Sequence, residues 1–295
     1  VVELEAVDAV DSPKDRVAMR PDRPSGIRIF CIAFVVLFGA SAIWSAATPM
    51  LAAPDEPSQI VKAAAVAHGR WTAVCFDSGA DACPGDRVTA TTSATGLEAL
   101  PSFWSMVRAP DSADPPHSQI CFHARSTVPA SCARSLNRSP SATDRLLGFN
   151  KYVWTYQARY PPLYYAVVGL PSHFGGSTID IYLMRLISAA LSAIFLAIAL
   201  SASVVSSTNR LLTLGVVAAT TPMVLFLAGV VNPSGLEISS GVATWTTGAI
   251  IVTEHLPRPP RGLVALFVLS AAVLEATRPL SPFWLALIVL FLIGI

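Results

Sequence analysis

Apolar positions in this chain fall in long unbroken runs, unlike the short alternations of a soluble protein. The first run covers residues 29–49, lies between Arg28 and Asp55, and holds no charge. At 1.5 Å per residue a helix of this length reaches roughly 30 Å, the thickness of a bilayer's hydrocarbon core. A cleaved signal peptide would also be apolar, and Ser45-Ala46-Ala47 resembles a cleavage site. The long polar tail before the run and the run's own length favour an anchored helix. Further runs follow at 179–205, 211–231, 238–252, 263–274 and 281–295. Those at 238–252 and 263–274 are short or rich in Ser and Thr, residues tolerated where membrane helices pack on each other. The pattern predicts an all-α multi-pass membrane bundle of about six spans. Its last run falls short of the roughly 20 residues a span needs, so the chain is expected to continue beyond Ile295.

The organisation that follows is a tail over 1–26, a first transmembrane helix over 27–50, a large loop over 51–178 and a helical bundle over 179–295. Within the loop, residues 58–68 read as a helix opened by Pro54-Asp-Glu-Pro57 and stopped by Gly69. The aromatic stretch 151–160 and the short apolar segment 163–170 read as a belt lying at the membrane interface. Residues 71–144 lack helical periodicity and are expected to be irregular, with at most a short hairpin.

Composition agrees with a lipid solvent. Hydrophobic residues make up 53% and charged residues 13%, where soluble domains carry about 25% charged. Net charge is +1, with no basic stripe, which excludes a nucleic-acid partner. Lys and Arg then set direction. The tail holds Lys14, Arg16, Arg20, Arg23 and Arg28, and alternate turns hold Arg210, Arg258 and Arg261. Positive residues in short connections favour the cytoplasm, so the N-terminus is expected inside and the large loop outside, with the protein in a bacterial plasma membrane. Cys75, Cys83, Cys121 and Cys132 all fall in that loop, which fits an oxidising compartment and a disulfide-stapled structure. Local pairing of Cys75 with Cys83 and of Cys121 with Cys132 is favoured among three connectivities. Their spacings are not those of a zinc site.

If these directions hold, Asp55, Glu56, Tyr160, Arg185, Asn232, Glu237 and Arg278 gather at one face from distant parts of the sequence. Each also has a plain structural reading. Asp55 or Glu56 can start a helix, and Arg185 and Arg278 can snorkel to the interface or pair with Asp180 and Glu275. The segment from Asn232 to Gly235 can be a tight turn and Glu237 an acidic helix start. The histidines at 68, 117, 123, 173 and 255 show no ligand spacing, and no phosphate loop or nucleophile elbow occurs.

Ala53-Pro-Asp-Glu-Pro57, Arg159-Tyr-Pro-Pro-Leu-Tyr-Tyr165, Arg185 and Asn232-Pro-Ser-Gly-Leu-Glu237, in that order, resemble the actinobacterial-type membrane family called domain of unknown function 2142. The resemblance runs from about Ile27 to the C-terminus. It departs from the family where Ser58 and Gln59 stand in place of a His after the acidic pair. That family is similar to the GT-C class of membrane glycosyltransferases, which use a polyprenyl-phosphate sugar and an acidic residue in the first outer loop. The resemblance implies Asp55, with Glu56 beside it, as general base for an acceptor hydroxyl. Arg185 and Arg278 would face the donor phosphate, and Tyr160, Tyr164 and Trp154 would stack on sugar or isoprenoid. A divalent metal ion held by Asp55 or Glu56 is the cofactor this chemistry admits. Membrane lipid and the lipid-linked sugar are the expected partners, in assembly of a cell-envelope glycan or lipid. The alternatives are a non-catalytic protein of envelope assembly and a transporter. A transporter would want ionisable groups near the membrane midplane, and the runs at 211–231 and 238–252 have none there.

Overall fold

The computed structural model describes residues 25–71, 75–76, 87–88, 105–109, 127–129, 151–174, 178–207, 210–254 and 259–294. Every apolar run becomes helical. α1 (Gly26–Ala47) is capped by Ser25, whose side chain accepts from the Arg28 amide. α2 (Glu56–Ala67) stands in the loop, close to the helix expected there. After the strands come a 3-10 turn (Tyr156–Arg159), α3 (Leu163–Val168) and a second 3-10 helix (Leu170–Phe174). The bundle consists of α4 (Thr178–Ser206), α5 (Arg210–Ala219), α6 (Pro222–Ala228), α7 (Pro233–Thr253), α8 (Arg261–Glu275) and α9 (Ser281–Gly294).

Among the described residues, only α1 and α4, at 22 and 29 residues, are long and apolar enough to cross a membrane alone. The run at 211–231 splits into α5 and α6, bent by 60° at the break, and counts as a third span if the pair is taken together. The expected six therefore become two or three, for two reasons. α8 and α9 are short, at 15 and 14 residues. α7 is long enough but is rich in Ser and Thr. Its hydroxyls at Ser239, Ser240, Thr244 and Thr247 donate to carbonyls one turn back on the same helix, and all are buried. A helix screened by its neighbours needs no apolar surface of its own.

α4 is the central post. α1 packs along one side of it and α7 along another, and α8 and α9 pack on α7. Small residues make these approaches close. Ala189, Ala193, Ala197 and Ala199 of α4 are fully or nearly fully buried. At Gly229 a Cβ would lie 2.3 Å from the Ser41 carbonyl oxygen of α1, so only glycine fits there. α1, α5 and α9 leave most of their apolar side chains uncovered, as lipid-facing helices do.

The fold is not entirely helical. β1 (Cys75–Phe76) pairs in parallel with β2 (Arg87–Val88), and β3 (Ser105–Ala109) pairs antiparallel with β4 (Lys151–Thr155). The stretch expected as an interfacial aromatic belt is thus largely a strand: Trp154 sits in register with Met106, and Tyr152 with Arg108. β-branched and aromatic residues at 152–155 favour a pleated strand once a partner is present. Three of the four loop cysteines, Cys83, Cys121 and Cys132, lie outside the described residues. No disulfide forms among the described residues, where Cys31 is a free, exposed thiol.

Candidate functional site

The connection from α1 to α2 is built around one arginine. Arg185, on the second turn of α4, is fully buried. Its Nε donates to Glu56 Oε1 at 2.7 Å and its Nη2 to Glu56 Oε2 at 2.6 Å, a bidentate pair. Its Nη1 donates to the carbonyls of Ser45 and Thr48 at 2.9 and 2.8 Å, and its Nη2 to that of Pro49 at 3.0 Å. A guanidinium has five N–H donors, and here each has an acceptor. The cation also sits at the C-terminal end of α1, where orphan carbonyls favour positive charge. Glu56, equally buried, accepts in addition from the Val231 amide at 3.2 Å. One ion pair therefore ties α1, α2, α4 and the turn between α6 and α7.

This arrangement selects among the plain readings given to each residue. Arg185 pairs with Glu56 and not with Asp180. Asn232 caps α7: its side-chain oxygen accepts from the Ser234 amide at 2.9 Å, and Pro233 takes the first helical position. Its amide nitrogen donates to the Pro54 carbonyl at 3.3 Å, which sets the α6–α7 turn beside the acidic loop.

Asp55 is arranged differently from its neighbour. It occupies the N-cap position of α2 in the left-handed region (φ 59°), and its side chain makes no cap hydrogen bond. Leu51, four residues earlier, is also left-handed (φ 62°) and is buried. Left-handed backbone costs non-glycine residues on the order of 1–3 kcal/mol each and persists where surrounding structure imposes it. Here the Arg185 contacts impose it. They leave the Asp55 carboxylate exposed, with no hydrogen bond or ion pair among the described residues.

Arg278, in the turn between α8 and α9, lies on the same side. Its Nη1 donates to Glu237 Oε2 at 2.9 Å and to Ser234 Oγ at 3.1 Å, and its Nη2 to the Tyr160 hydroxyl at 3.4 Å. It lies over the Tyr160 ring, 5.6 Å from the centroid. Ser281 Oγ holds the other Glu237 oxygen at 2.9 Å. Glu237, not Glu275, is its partner, and Glu275 stays exposed. The side chain of Arg278 is 31% exposed, and its Nε–H and one Nη2–H have no acceptor among the described residues.

Between the two groups lies a tyrosine pair on α3. Tyr165 donates to Gln59 Oε1 at 2.5 Å, and Tyr164 shares a 2.9 Å bond with Ser188. Both rings are buried. Burial pushes the Tyr165 phenol well above its ordinary value; the Tyr164 and Tyr160 phenols and Asp55 add to the rise, and Arg278 opposes it. Asp55 and Arg278 thus both act on one phenol. Tyr164, expected to stack on a ligand, is a core residue. Trp154 lies in β4. The residues missed in the sequence are Gln59 and Ser234, whose signal is only their place inside or beside the quoted motifs, and Ser281, which opens the last apolar run.

No group of three or more His, Cys, Asp and Glu is placed to hold a metal ion among the described residues. Asp55 stands alone, and both Glu56 oxygens already face donors, so the site as built does not fit a metal held by that pair.

A helical bundle with apolar flanks and a polar cluster at one end defines a membrane protein. The family model described as predicted membrane protein, DUF2142, matches residues 38–295, and the chain belongs to that family. No curated protein and no solved structure matches.

Proposed function

We propose that the chain is a glycosyltransferase of GT-C-like design, acting at the outer face of a bacterial plasma membrane on a polyprenyl-phosphate sugar. The observation that carries this reading is the contrast between two acid–guanidinium sets. Glu56 and Arg185 saturate each other and build the site. Asp55 and Arg278 keep unused hydrogen-bonding capacity on the same side of the bundle. In the reaction, an acceptor hydroxyl oxygen attacks the anomeric carbon and the carbon–oxygen bond to the lipid phosphate breaks. Asp55 takes the hydroxyl proton as general base. The departing polyprenyl phosphate carries away the electron pair, and its negative charge meets the two unengaged N–H groups of Arg278. Tyr160, stacked beneath that guanidinium, fixes its direction, while Glu237 and Ser234 anchor its other edge. Asn232 holds the acidic loop in register with α7. Sidedness rests on the Lys and Arg distribution: the tail lies inside and the cluster outside.

The test is transfer of radiolabelled sugar from a polyprenyl-phosphate donor in membranes containing the protein. Asp55→Asn is expected to lower the rate by about 10²–10⁴-fold, the usual contribution of a general base, with protein level and melting temperature unchanged. Arg278→Gln should weaken donor use as well. Full transfer activity in Asp55→Asn would rule this reading out in favour of a non-catalytic role in envelope assembly.

A further inference from the structure

The segment formed by α3 and the second 3-10 helix is apolar on both of its faces. One face is fixed to the protein. Tyr164, Tyr165 and Val168 are buried, Tyr165 donates to Gln59 of α2, and Tyr164 shares its bond with Ser188 of α4. Gly169 approaches α2 so closely that a Cβ would lie 2.1 Å from the Ala63 carbonyl oxygen. The other face is uncovered. Leu163, Val167, Leu170 and Phe174 follow at intervals of four, three and four residues, and their exposure runs from 37% at Val167 to 78% at Phe174. Side chains three and four apart are neighbours on a helical surface. His173 is the only exposed polar residue from 163 to 174.

Two contacts give the depth of this strip. α1 has 22 residues and reaches roughly 33 Å, close to the thickness of about 30 Å of a bilayer's hydrocarbon core. Its last carbonyls, at Ser45 and Thr48, accept from Arg185, so the boundary of that core meets α4 near Arg185. α4 has 29 residues and reaches roughly 43 Å, the thickness of a bilayer with its headgroups. The turns of α4 before Arg185 therefore stand at headgroup level. Tyr164 bonds to Ser188, which is deeper still along α4 than Arg185. α3 thus lies at the boundary and not above it in water. The strip also continues onto a membrane-spanning helix, since Ile179 is exposed in the first turn of α4.

We propose that Leu163, Val167, Leu170 and Phe174 insert into the acyl-chain boundary of the leaflet on the candidate site's side, so that residues 163–174 form a foot resting in the membrane. A short helical segment with one apolar side lies in the interface plane, sunk about 5–10 Å into the headgroup and acyl boundary. Contiguous exposed apolar side chains mark such a contact, and the depth of α3 makes lipid the occupant. The foot bears on the site. Tyr160 lies three residues before Leu163, with Pro161 and Pro162 between, and its hydroxyl accepts from Arg278. Insertion therefore holds the Arg278 guanidinium at the depth of lipid phosphates. The foot requires the bundle to span the membrane and does not require the transfer reaction.

The experiment places photoreactive benzoylphenylalanine at position 167, 170 or 174 of the full chain, held in nanodiscs of phosphatidylcholine and phosphatidylglycerol. All three positions are exposed, so the melting temperature should match that of the unmodified protein. Irradiation is expected to add the mass of one phospholipid at each position. Val167→Gln combined with Phe174→Gln should keep the fold and lower the lipid adduct at position 170, because interfacial binding scales with the apolar area buried. Adducts to this chain or to a second copy in place of lipid, or no adduct at all, overturn the foot. That result would leave the transfer assay of Asp55→Asn untouched. Full transfer in Asp55→Asn would in turn leave the lipid adducts in place, so the foot and the proposed enzyme fail separately.

Discussion

Neighbouring carboxylates in this chain do opposite work because one is inside and one is outside. Glu56 is sealed against Arg185, and removing one partner of a buried pair strands the other charge, typically at 3–5 kcal/mol. Glu56→Gln is therefore expected to destabilise the protein by about 3–5 kcal/mol, read as a fall in the melting temperature of purified protein. Asp55→Asn, at an exposed position without bonds to lose, should stay within about 0.5 kcal/mol. Arg185→Lys should behave like Glu56→Gln, since an ammonium cannot reach five acceptors in a fixed planar fork. Equal stability losses at Asp55 and Glu56 would contradict the division between them. At this scale the sequence was only half legible. It marked Arg185, Glu56, Asn232 and Arg278 as important, because charged or capping residues beside apolar runs stand out. It offered the wrong partners, Asp180 and Glu275, because near neighbours in sequence are all that a linear reading can weigh. The true partners lie 129 and 41 positions away.

Helix packing here turns on glycines that allow backbone to touch backbone. Gly229 meets Ser41, and Gly169 meets Ala63, at distances where a methyl group would overlap a carbonyl oxygen. Gly229→Ala and Gly169→Ala are expected to cost about 1–3 kcal/mol or more through overpacking. Gly39 of α1 and Gly215 of α5 have nothing within 4 Å of an added Cβ. Alanine there should be neutral or stabilise by up to about 1 kcal/mol, since it favours the helix. Thermal unfolding of the four variants in one detergent separates the two classes. Helix existence was legible from the apolar runs, often to within a few residues. Span number was not, because hydrophobicity reports the solvent of a helix and α7 is solvated largely by its neighbours. The strand at 151–155 was not legible because its partner lies more than forty residues earlier, at 105–109. Pairing at that distance leaves no local trace.

For the molecule as a whole, pH acts through groups buried in the α2–α3 layer. Burial lowers the Lys62 pKa from 10.5 to about 8, and its ammonium donates to the Trp71 carbonyl at 3.1 Å. Between about pH 8 and 10 the unfolded chain therefore binds this proton more tightly than the folded one, so stability rises with pH in that window. Above pH 10 the sign reverses. Tyr164 and Tyr165 hold their protons past the ordinary phenol value, and the stability they contribute declines as the unfolded phenols ionise. Denaturant unfolding at a series of pH values should show a maximum near pH 10 in the wild type. In Lys62→Met the rise from pH 8 should vanish while the alkaline fall remains. A monotonic decline from pH 8 in the wild type would remove Lys62 from the account.

The five-fold grip of Arg185 also constrains how the chain is made. At about 5–20 residues per second, a ribosome needs on the order of ten seconds to travel from Glu56 to Arg185. Throughout that interval the newborn α1 end has no cation for its carbonyls, and the acidic loop has no mould to bend it left-handed. Assembly of the working end must wait for α4 to be threaded into the bilayer. A nascent chain arrested before that helix should leave the loop open to protease, and one arrested after it should find the loop already shut.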